Sequence, residues 1–327
     1  MQSQIITLLK NTLFTFFKYL LLLSIGAWLL YLSLHKLDFK EVTETIYRGN
    51  FILVIPVLFI SIIVYFFRVL RWELLFRQIN QDIPKSNLTI ALCIGYLVNF
   101  AIPRLGEVTR CAVLKKMNAT PINQSLTTVI FERTIDVITL ILISILAIIL
   151  EYVNHSKLLI SFINFKMIPT NQFIGFIIAF FTFTFIGLYL IGKSENKIKT
   201  WLKGFWISVK MLAKIKNIFM FSLYTICIWI CYFLMTYLWF YTFVESSNLN
   251  YYMAFQIMII GSFVRSIPLQ AGSAGAYHYG VSQAFILLGL SSITANALAI
   301  IIHGFQTIFT IIIGSLAYLA FVYKSKA

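Results

Sequence analysis

The chain has 327 residues, of which 60% are hydrophobic and 11% are charged. Soluble domains are close to half apolar and a quarter charged, so the composition excludes a water-soluble protein. The formal net charge of +15 has no soluble surface on which to hold nucleic acid, which is therefore not expected as a partner. The excess instead indicates basic loops that lie beside anionic lipid.

The apolar runs, taken in chain order, predict an all-α polytopic membrane bundle, because a spanning segment must satisfy its own backbone hydrogen bonds. Six full spans are expected, at 14–34, 51–77, 124–150, 173–191, 219–244 and 294–323. Two further apolar stretches, 88–103 and 251–290, are interrupted by glycine and proline, and they predict broken or re-entrant helical units. Residues 1–327 are expected to form a single integral membrane domain with a retained first span.

Lysine and arginine are concentrated in the loops on one side of these spans. With the N-terminus inside and 88–103 dipping in and returning, most of them lie in the inner segments 1–18, 71–121, 193–217 and 324–327. The positive-inside rule therefore places both termini in the cytoplasm. Segment 194–217 has its lysines on one helical stripe, which predicts an amphipathic helix on the inner leaflet, with an ordinary basic loop as the alternative.

Two short stretches resemble each other and precede the two breaks. Residues 94–99 (Ile-Gly-Tyr-Leu-Val-Asn) are similar to residues 260–265 (Ile-Gly-Ser-Phe-Val-Arg), and an Ile-Pro pair follows each of them. Each unit also lies between two long spans, which run in opposite directions in the two halves. The pattern indicates an inverted repeat with halves 51–150 and 219–323. Chance similarity is the alternative.

The first polar cluster follows the stretch at 88–103. Pro103 removes a backbone donor and Gly106 loosens the chain, so both are expected to break the helix. A broken helix exposes amide groups that bind anions. Arg104 and Arg110 add the planar fork that suits phosphate, and Glu107 supplies a local partner. The alternative is a cytoplasmic turn with ordinary basic residues.

The second cluster lies near the end of the span 51–77. Arg68 and Arg71 are three residues apart and Trp72 follows them. Residues at this spacing share one face of a helix. Spacing alone favours arginines that snorkel to the membrane surface beside an aromatic anchor. Binding of a lipid head group is the alternative role for the two arginines.

The third cluster, Glu132, Arg133 and Asp136, lies within the span 124–150. Ionisable groups at membrane depth are costly, and they normally face a bundle interior or a wet cavity. Two interpretations stay open here. The cluster is either a salt-bridge network that holds helices together or a part of a pathway through the membrane.

The fourth cluster, residues 265–278, is rich in small and helix-breaking residues, among them Pro268, Gly272 and Gly275. This composition predicts a re-entrant loop or a discontinuous helix, with close helix packing through small residues as the alternative. Arg265 is expected to be a buried cation that needs an anion, either a carboxylate of the third cluster or a ligand phosphate.

No catalytic constellation is visible in the sequence. It contains no nucleophile with a nearby base, no phosphate-binding glycine loop and no set of metal ligands. The histidines are dispersed, and the cysteines lie in or beside apolar segments. We therefore expect no cofactor and no metal, and an enzymatic role stays undecided.

The four clusters, in this order, resemble the membrane domain of bacterial lysylphosphatidylglycerol synthases and their free-standing flippase-like relatives. The resemblance covers nearly the whole chain and rests on Arg68-x-x-Arg71-Trp72, Gly95 through Asn99, Pro103-Arg104-x-Gly106-Glu107-x-x-Arg110, Glu132-Arg133-x-x-Asp136 and Pro268 with its glycine-rich tail. The last piece departs from the family pattern, because it lacks a second proline and has His278 near the position of an acid.

The resemblance implies a flippase-like protein of a bacterial-type plasma membrane, which binds or translocates an anionic phospholipid or a polyprenyl-phosphate-linked lipid. Head-group contacts are expected from Arg68, Arg71, Arg104, Arg110 and Arg265. Charge balance and gating are expected from Glu107, Glu132, Arg133, Asp136 and His278. No segment corresponds to the soluble aminoacyl-transferase domain of the two-part members, so synthase activity is not expected.

Two other functions stay open at this point. One is a membrane enzyme, or an accessory subunit of one, that acts on a lipid-linked sugar. The other is an ion-coupled transporter of a small solute. An anionic membrane lipid is the expected partner, together with a membrane-bound or cytoplasmic lipid-modifying enzyme. The sequence makes no prediction about the oligomeric state.

Overall fold

The computed structural model describes residues 23–35, 37–153, 217–266 and 270–326. Within these ranges the chain is all-helical and contains no strand. The helices of these ranges are α1 (Leu23–Leu34), α2 (Phe39–Tyr47), α3 (Val54–Gln78), α4 (Lys85–Ala101), α5 (Leu105–Asn118), α6 (Ile122–Val153), α7 (Ile218–Trp239), α8 (Tyr251–Ser266), α9 (Gln270–Leu287) and α10 (Ser292–Lys326).

Among the described residues, four helical segments are long and apolar enough to cross a membrane. They are Phe51–Gln78, Ile122–Leu150, Ile218–Thr242 and Ser292–Ser325. These match four of the six predicted spans, and the predicted all-α polytopic membrane bundle is confirmed. The first predicted span is described only over Leu23–Leu34. The predicted span 173–191 and the four lysines of the amphipathic segment lie outside the described residues.

Hydrogen bonds between helix ends identify which ends of the spans lie together. At one end, the Asn50 amide donates to the Thr242 carbonyl at 2.9 Å, which joins the start of α3 to the end of α7. At the other end, the Lys324 ammonium donates to Asn87 Oδ1 at 3.0 Å, which joins the end of α10 to the start of α4. We call the second end the basic end, because it also carries Arg77, Lys85, Lys115 and Lys116.

Each half of the described chain has the same order of elements: a long helix, a helical hairpin and a second long helix. The α4–α5 hairpin joins the basic ends of α3 and α6. The α8–α9 hairpin joins the opposite ends of α7 and α10, where the Tyr252 hydroxyl donates to the Ala147 carbonyl at 3.3 Å. The two hairpins therefore enter the bundle from opposite ends.

The tip of the α4–α5 hairpin is built by Pro103 and Arg104. Helix α4 ends at Ala101, and Ile102 is extended with φ −132° and ψ 110°, which is the conformation that a following proline favours. Arg104 then takes a left-handed φ of 65°, and α5 begins at Leu105. The chain thus reverses within three residues, and the guanidinium of Arg104 is left at the tip.

The hairpin is larger than the sequence indicated. The predicted unit at 88–103 covers most of α4, but α5 returns beside it as a regular helix. The prediction that Gly106 breaks the chain was wrong, because Gly106 lies in the first turn of α5. A Cβ there would collide with the Gly95 carbonyl and with Asn99, whose Oδ1 accepts the Gly106 amide at 2.8 Å. Gly106 therefore allows the two arms to pack backbone against backbone.

Helix α9 contradicts the prediction that its glycines break the chain. Gly272 lies in its first turn and Gly275 lies within it. A Cβ at Gly275 would overlap the Gly26 carbonyl, so α1 and α9 touch through their backbones there. Ser273 has a left-handed φ of 63°, which is uncommon for a residue other than glycine and marks a local distortion. Pro268 lies outside the described residues.

Two apolar cores hold the described helices together. One lies among α3–α6 and includes the fully buried Trp72 and Phe76, and the other lies mainly among α7–α10 and includes Trp239 and Phe285. Lipid is as apolar as these side chains, so close packing and small-residue contacts stabilise the bundle more than transfer from water does. The outer faces of the spans carry exposed apolar residues that suit lipid, such as Phe59, Phe66, Leu142, Ile226 and Leu316.

Candidate functional site

The site is built first from two facing helices, α3 and α6. Arg68 and Arg71 lie on one face of α3, and the carboxylates of Glu132 and Asp136 lie on one face of α6. Arg68 Nη1 donates to Glu132 Oε1 at 3.2 Å, and Arg71 Nη2 lies 3.3 Å from the same oxygen. Arg71 Nη1 donates to Asp136 Oδ1 at 2.7 Å. The spacing of three residues on α3 and four on α6 makes these pairs meet.

Helix α5 adds a third arginine to the same carboxylate. Arg110 Nη2 donates to Glu132 Oε2 at 3.1 Å, so both oxygens of Glu132 are occupied. The Arg110 guanidinium lies 4.5 Å from the centre of the Trp72 ring, a cation–π contact. Trp72 is held in turn, because its Nε1 donates to Thr128 Oγ1 at 2.9 Å. The alternative interpretation of the first cluster, an ordinary cytoplasmic turn, does not hold for Arg110, which is buried.

The network reaches the surface of the bundle through Glu107 and Arg133. Arg133 Nε lies 3.6 Å from Glu107 Oε1, and Arg133 Nη1 lies 3.8 Å from Asp136 Oδ2. The side chains of Arg133 and Glu107 are 38% and 22% exposed, whereas that of Glu132 is 0% exposed. These two residues therefore form a partly exposed rim above a buried base.

The whole network, which we call the arginine–carboxylate network, contains four arginines and three carboxylates: Arg68, Arg71, Arg110, Arg133, Glu107, Glu132 and Asp136. Its formal charge is thus one positive. Breaking one partner of a buried ion pair leaves an uncompensated charge and is strongly destabilising. The contacts of the third cluster therefore agree with its interpretation as a salt-bridge network that holds helices together.

The expectation that Arg68 and Arg71 snorkel to the surface was wrong. Arg71 is 0% exposed and Arg68 is 8% exposed. Arg68 also donates to the Tyr232 hydroxyl, from Nε at 3.1 Å and from Nη2 at 2.6 Å. Because Arg71 is completely enclosed, it holds helices together and cannot contact a lipid head group in this arrangement.

Helix α7 contributes two residues that sequence reasoning missed. The Tyr232 hydroxyl accepts from Arg68, and Thr225 Oγ1 accepts from Arg71 Nη1 at 3.4 Å. The two residues are seven positions apart, so they lie on one face of α7. This spacing of seven is the signal in the sequence that could have identified the polar face of α7.

The second hairpin carries its own cation, Arg265, next to the end of α8. The prediction that Arg265 is a buried cation was wrong, because the residue is exposed and its guanidinium lies 4.4 Å from the centre of the Tyr277 ring. Of the two predicted kinds of partner, a carboxylate of the third cluster does not pair with it, and a ligand phosphate stays a prediction. Tyr277 contacts His303 on α10, with ring centres 5.4 Å apart, and His303 contacts His278 at 5.2 Å. His278 thus belongs to an aromatic group around the hairpin and lies apart from the ion pairs.

Arg104 lies at the tip of the first hairpin, and Arg265 lies near the end of the first arm of the second hairpin. Arg104 is exposed at the α4–α5 tip, and in the part of the chain that the structure describes it makes no hydrogen bond or ion pair. The predicted head-group residues are therefore divided between two settings. Arg104 and Arg265 are exposed at the hairpins, while Arg68, Arg71 and Arg110 are buried in the arginine–carboxylate network.

The described residues include no group of three or more histidine, cysteine or acidic side chains that could hold a metal ion. The acidic side chains of the network are occupied by arginines, which leaves them unsuited to bind a cation. The chemistry available at this site is therefore recognition of negative charge by guanidinium groups.

The fold and the site define a polytopic helical membrane protein with two helical hairpins and a buried arginine–carboxylate network. The chain belongs to the family described as "Lysylphosphatidylglycerol synthase TM region", which matches residues 19–314. The resemblance carried by the four clusters is thereby confirmed, and membership links the chain to lipid biology at the membrane. No curated protein and no solved structure matches the chain.

Proposed function

We propose that this protein binds an anionic lipid, a phospholipid or a polyprenyl-phosphate-linked lipid, and translocates it between leaflets. The observation that carries the proposal is the pair of exposed arginines at the two hairpins, Arg104 and Arg265. Neither pairs with a described carboxylate. Both therefore remain available to the phosphate of a lipid.

The lengths of the hairpin arms support this proposal. Helix α4 has 17 residues and is about 25 Å long at ~1.5 Å per residue. Helix α8 has 16 residues and is about 24 Å long by the same measure. The hydrocarbon core of a bilayer is about 30 Å thick. A hairpin that enters from one surface thus ends inside the membrane and near the other surface, where withdrawing a guanidinium from water is costly. A lipid phosphate removes much of that cost.

The orientation of the protein belongs to the same proposal. The basic end faces the cytoplasm of a bacterial-type plasma membrane, and both chain termini lie on that side. The hairpins then carry one arginine into the membrane from each surface. Their opposite directions, with the matching order of elements in the two halves, support an inverted repeat within one membrane domain.

Lipidomic analysis of the purified protein tests the binding step. We expect an anionic lipid to co-purify with the unaltered protein and to be lost from the Arg104→Gln, Arg265→Gln double variant. Arg48→Gln is the matched control, because Arg48 is an exposed arginine beside α2 and away from both hairpins. Recovery of only neutral lipids from the unaltered protein, or retention of the anionic lipid by the folded double variant, contradicts the proposal.

A further inference from the structure

A narrow crevice lies between α4 and α5 and is closed on its third side by α6. Tyr96 and Asn99 line it from α4, Glu107 and Arg110 from α5, and Arg133 from α6. The backbones of Gly95 and Gly106 meet along one wall. In this arrangement the crevice is too narrow for a water molecule. It lies directly beside the arginine–carboxylate network, with which it shares three residues.

Several polar atoms of the crevice-lining residues are buried without a hydrogen-bond partner in the described part of the chain. They are Tyr96 Oη, Glu107 Oε2, Arg110 Nε, Arg110 Nη1 and Arg133 Nε. Arginine nitrogens only donate, so donors outnumber acceptors here. Arg110 itself is 2% exposed. Each unsatisfied buried donor destabilises the closed crevice, and no water can relieve it there. The crevice is therefore suited to a group that brings acceptors.

The net charge of the arginine–carboxylate network also favours an anionic ligand in the crevice. Each of the four arginines pairs with a carboxylate, but there are only three carboxylates, so the network has a net charge of one positive. Glu132 is shared among three of the arginines, so its single negative charge cannot neutralise all of them. An uncompensated charge in a low-dielectric surrounding is costly. One added negative charge at the crevice would balance the network, and two would reverse its sign.

The rim of the crevice faces lipid. Arg133 shares a helix face with Ile130 and Val137, three and four residues away, and these are 40% and 53% exposed. Val108, next to Glu107 in the chain, is 48% exposed. Exposed apolar residues around a polar rim are typical of a surface that meets bilayer. A ligand that enters past this rim therefore arrives from the bilayer and not from bulk water.

We infer that the crevice binds the phosphodiester group of a lipid that carries one negative charge, once α4 and α5 move apart. Arg110 donates to the phosphate through Nε and Nη1 while its Nη2 keeps Glu132, and Tyr96 donates its hydroxyl. The Arg133–Glu107 pair forms the gate at the rim. The inference rests on the proposed function and names the charge and the binding residues of its ligand.

The hairpin has the features that such an opening requires. The arms are joined covalently only at the tip, residues 102–104, and Gly95 and Gly106 meet without side chains that interlock. Opening beside the crevice breaks the hydrogen bond from the Gly106 amide to Asn99 Oδ1. Arg104 stands in a left-handed conformation at that joint. The closed crevice leaves donors unsatisfied, and the open, lipid-filled crevice satisfies them. Lipid binding thus favours the open arrangement by its differential contacts.

Binding measurements on the full chain in detergent test the inference. The probes are phosphatidylglycerol, with one negative charge, zwitterionic phosphatidylcholine, and glycerophosphoglycerol, the soluble head group without acyl chains. Arg110→Lys keeps a positive charge for Glu132 but removes the planar fork. Tyr96→Phe removes a hydroxyl that has no hydrogen-bond partner among the described residues, so the fold should be preserved. Tyr241→Phe is the control, because its hydroxyl bonds Tyr237 at 2.7 Å, away from the crevice.

We expect Arg110→Lys to weaken phosphatidylglycerol binding about tenfold, the effect of one charge-assisted hydrogen bond. Tyr96→Phe should weaken it several-fold and Tyr241→Phe should leave it unchanged. Phosphatidylcholine and glycerophosphoglycerol should bind more weakly than phosphatidylglycerol to the unaltered protein. If Arg110→Lys does not fold, phosphatidylglycerol binding by Tyr96→Phe alone tests the inference.

Unchanged phosphatidylglycerol binding by the folded crevice variants overturns the inference and leaves the proposed function standing. Equal binding of glycerophosphoglycerol and phosphatidylglycerol overturns it as well, because the ligand is then a solute. Absence of anionic-lipid binding by the unaltered protein is a different result. It contradicts the proposed function, and the inference falls with it.

Discussion

Glu132 forms ion pairs with three buried arginines. It accepts from Arg68 and Arg71 through one oxygen and from Arg110 through the other. Glu132→Gln removes the charge but keeps the size. Arg110 then has no carboxylate partner among the described residues, and Arg68 and Arg71 keep only Asp136. We expect the free energy of unfolding to fall by about 3–5 kcal/mol. Denaturant or thermal unfolding of the protein in detergent measures the change.

Glu73→Gln provides the matched control for this prediction. Glu73 pairs with Arg77 at 2.8 Å and lies 3.6 Å from Lys85, but those two side chains are 60% and 57% exposed. An ion pair with exposed partners contributes about 1 kcal/mol or less, so this variant should unfold nearly as the unaltered protein does. If Glu132→Gln and Glu73→Gln lower the free energy of unfolding by equal, small amounts, the arginine–carboxylate network does not stabilise the bundle.

Glu245 gives a pH-dependent contribution at the end of the bundle opposite the basic end. Partial burial alone would raise the pKa of Glu245, but the hydrogen bonds from Thr294 and Ser291 outweigh it and hold the pKa below the ordinary 4.5. Glu245 Oε1 accepts the Ser291 amide at 2.5 Å, and Oε2 accepts both hydroxyls. The ionised carboxylate thereby anchors the first turn of α10.

The sign of the effect follows from the lowered pKa. The contribution of Glu245 is complete above its ordinary pKa and is lost as the pH falls from about 4.5 through the lowered value. At pH 7, Glu245→Gln should therefore have a lower melting temperature than the unaltered protein. The difference should shrink when both are measured below pH 4.5. A difference that stays constant with pH would assign the loss to shape and not to charge.

At the scale of single residues, the sequence predicted which side chains share a face but not which face is buried. Arg68 and Arg71 were correctly placed together by their spacing of three residues. Helix α3 is apolar nearly all round, so its pattern does not distinguish a lipid face from a helix contact. For Arg265 the difficulty was the position of a helix end. The small residues after it suggested burial among the helices, whereas the side chain lies exposed beside the Tyr277 ring.

Among the elements, the α4–α5 hairpin packs closely because Gly106 has no side chain. A Cβ at Gly106 would collide with the Gly95 carbonyl and with Asn99. Gly106→Ala should force the two arms apart and destabilise the protein by about 1–3 kcal/mol, the usual cost of overpacking. Thermal unfolding measures the loss, and accessibility of a cysteine at Tyr96 reports whether the arms have parted.

Gly304→Ala is the control for the hairpin. Gly304 also lies within a helix, but a Cβ there would meet nothing within 4 Å. Alanine forms helices better than glycine by about 1 kcal/mol, so this variant should be as stable as the unaltered protein or slightly more stable. A Gly106→Ala variant that behaves in the same way would show that the arms are not in close contact.

The helices differ in how well their sequences predict them. The spans α3, α6, α7 and α10 are long and continuously apolar, so hydropathy alone predicted them. Helix α5 was missed because it carries several charged residues in 14 positions and reads as a basic loop. Its burial comes from Glu132 and Trp72, which lie elsewhere in the chain. Contacts between residues that are distant in the chain cannot be predicted from the local sequence pattern.

For the whole molecule, the proposed orientation predicts which surface each end reaches. Cysteines introduced at Asn50 and Asn248 should react with a membrane-impermeant reagent added outside intact cells. Cysteines at Ser86 and Ser325, at the basic end, should react only after the membrane is opened. All four positions are exposed. Reaction of Ser86→Cys from outside would reverse the orientation, and mixed reaction at one end would contradict the arrangement of the helices.

The central claim is that the protein moves an anionic lipid between leaflets. Its most direct test is the rate at which a fluorescent phosphatidylglycerol changes leaflet in liposomes that contain the purified protein. The account predicts a faster rate than in protein-free liposomes, a smaller effect on a phosphatidylcholine analogue, and loss of the acceleration in the Arg104→Gln, Arg265→Gln variant. Equal rates with and without the protein, or equal acceleration of both lipids, would contradict it.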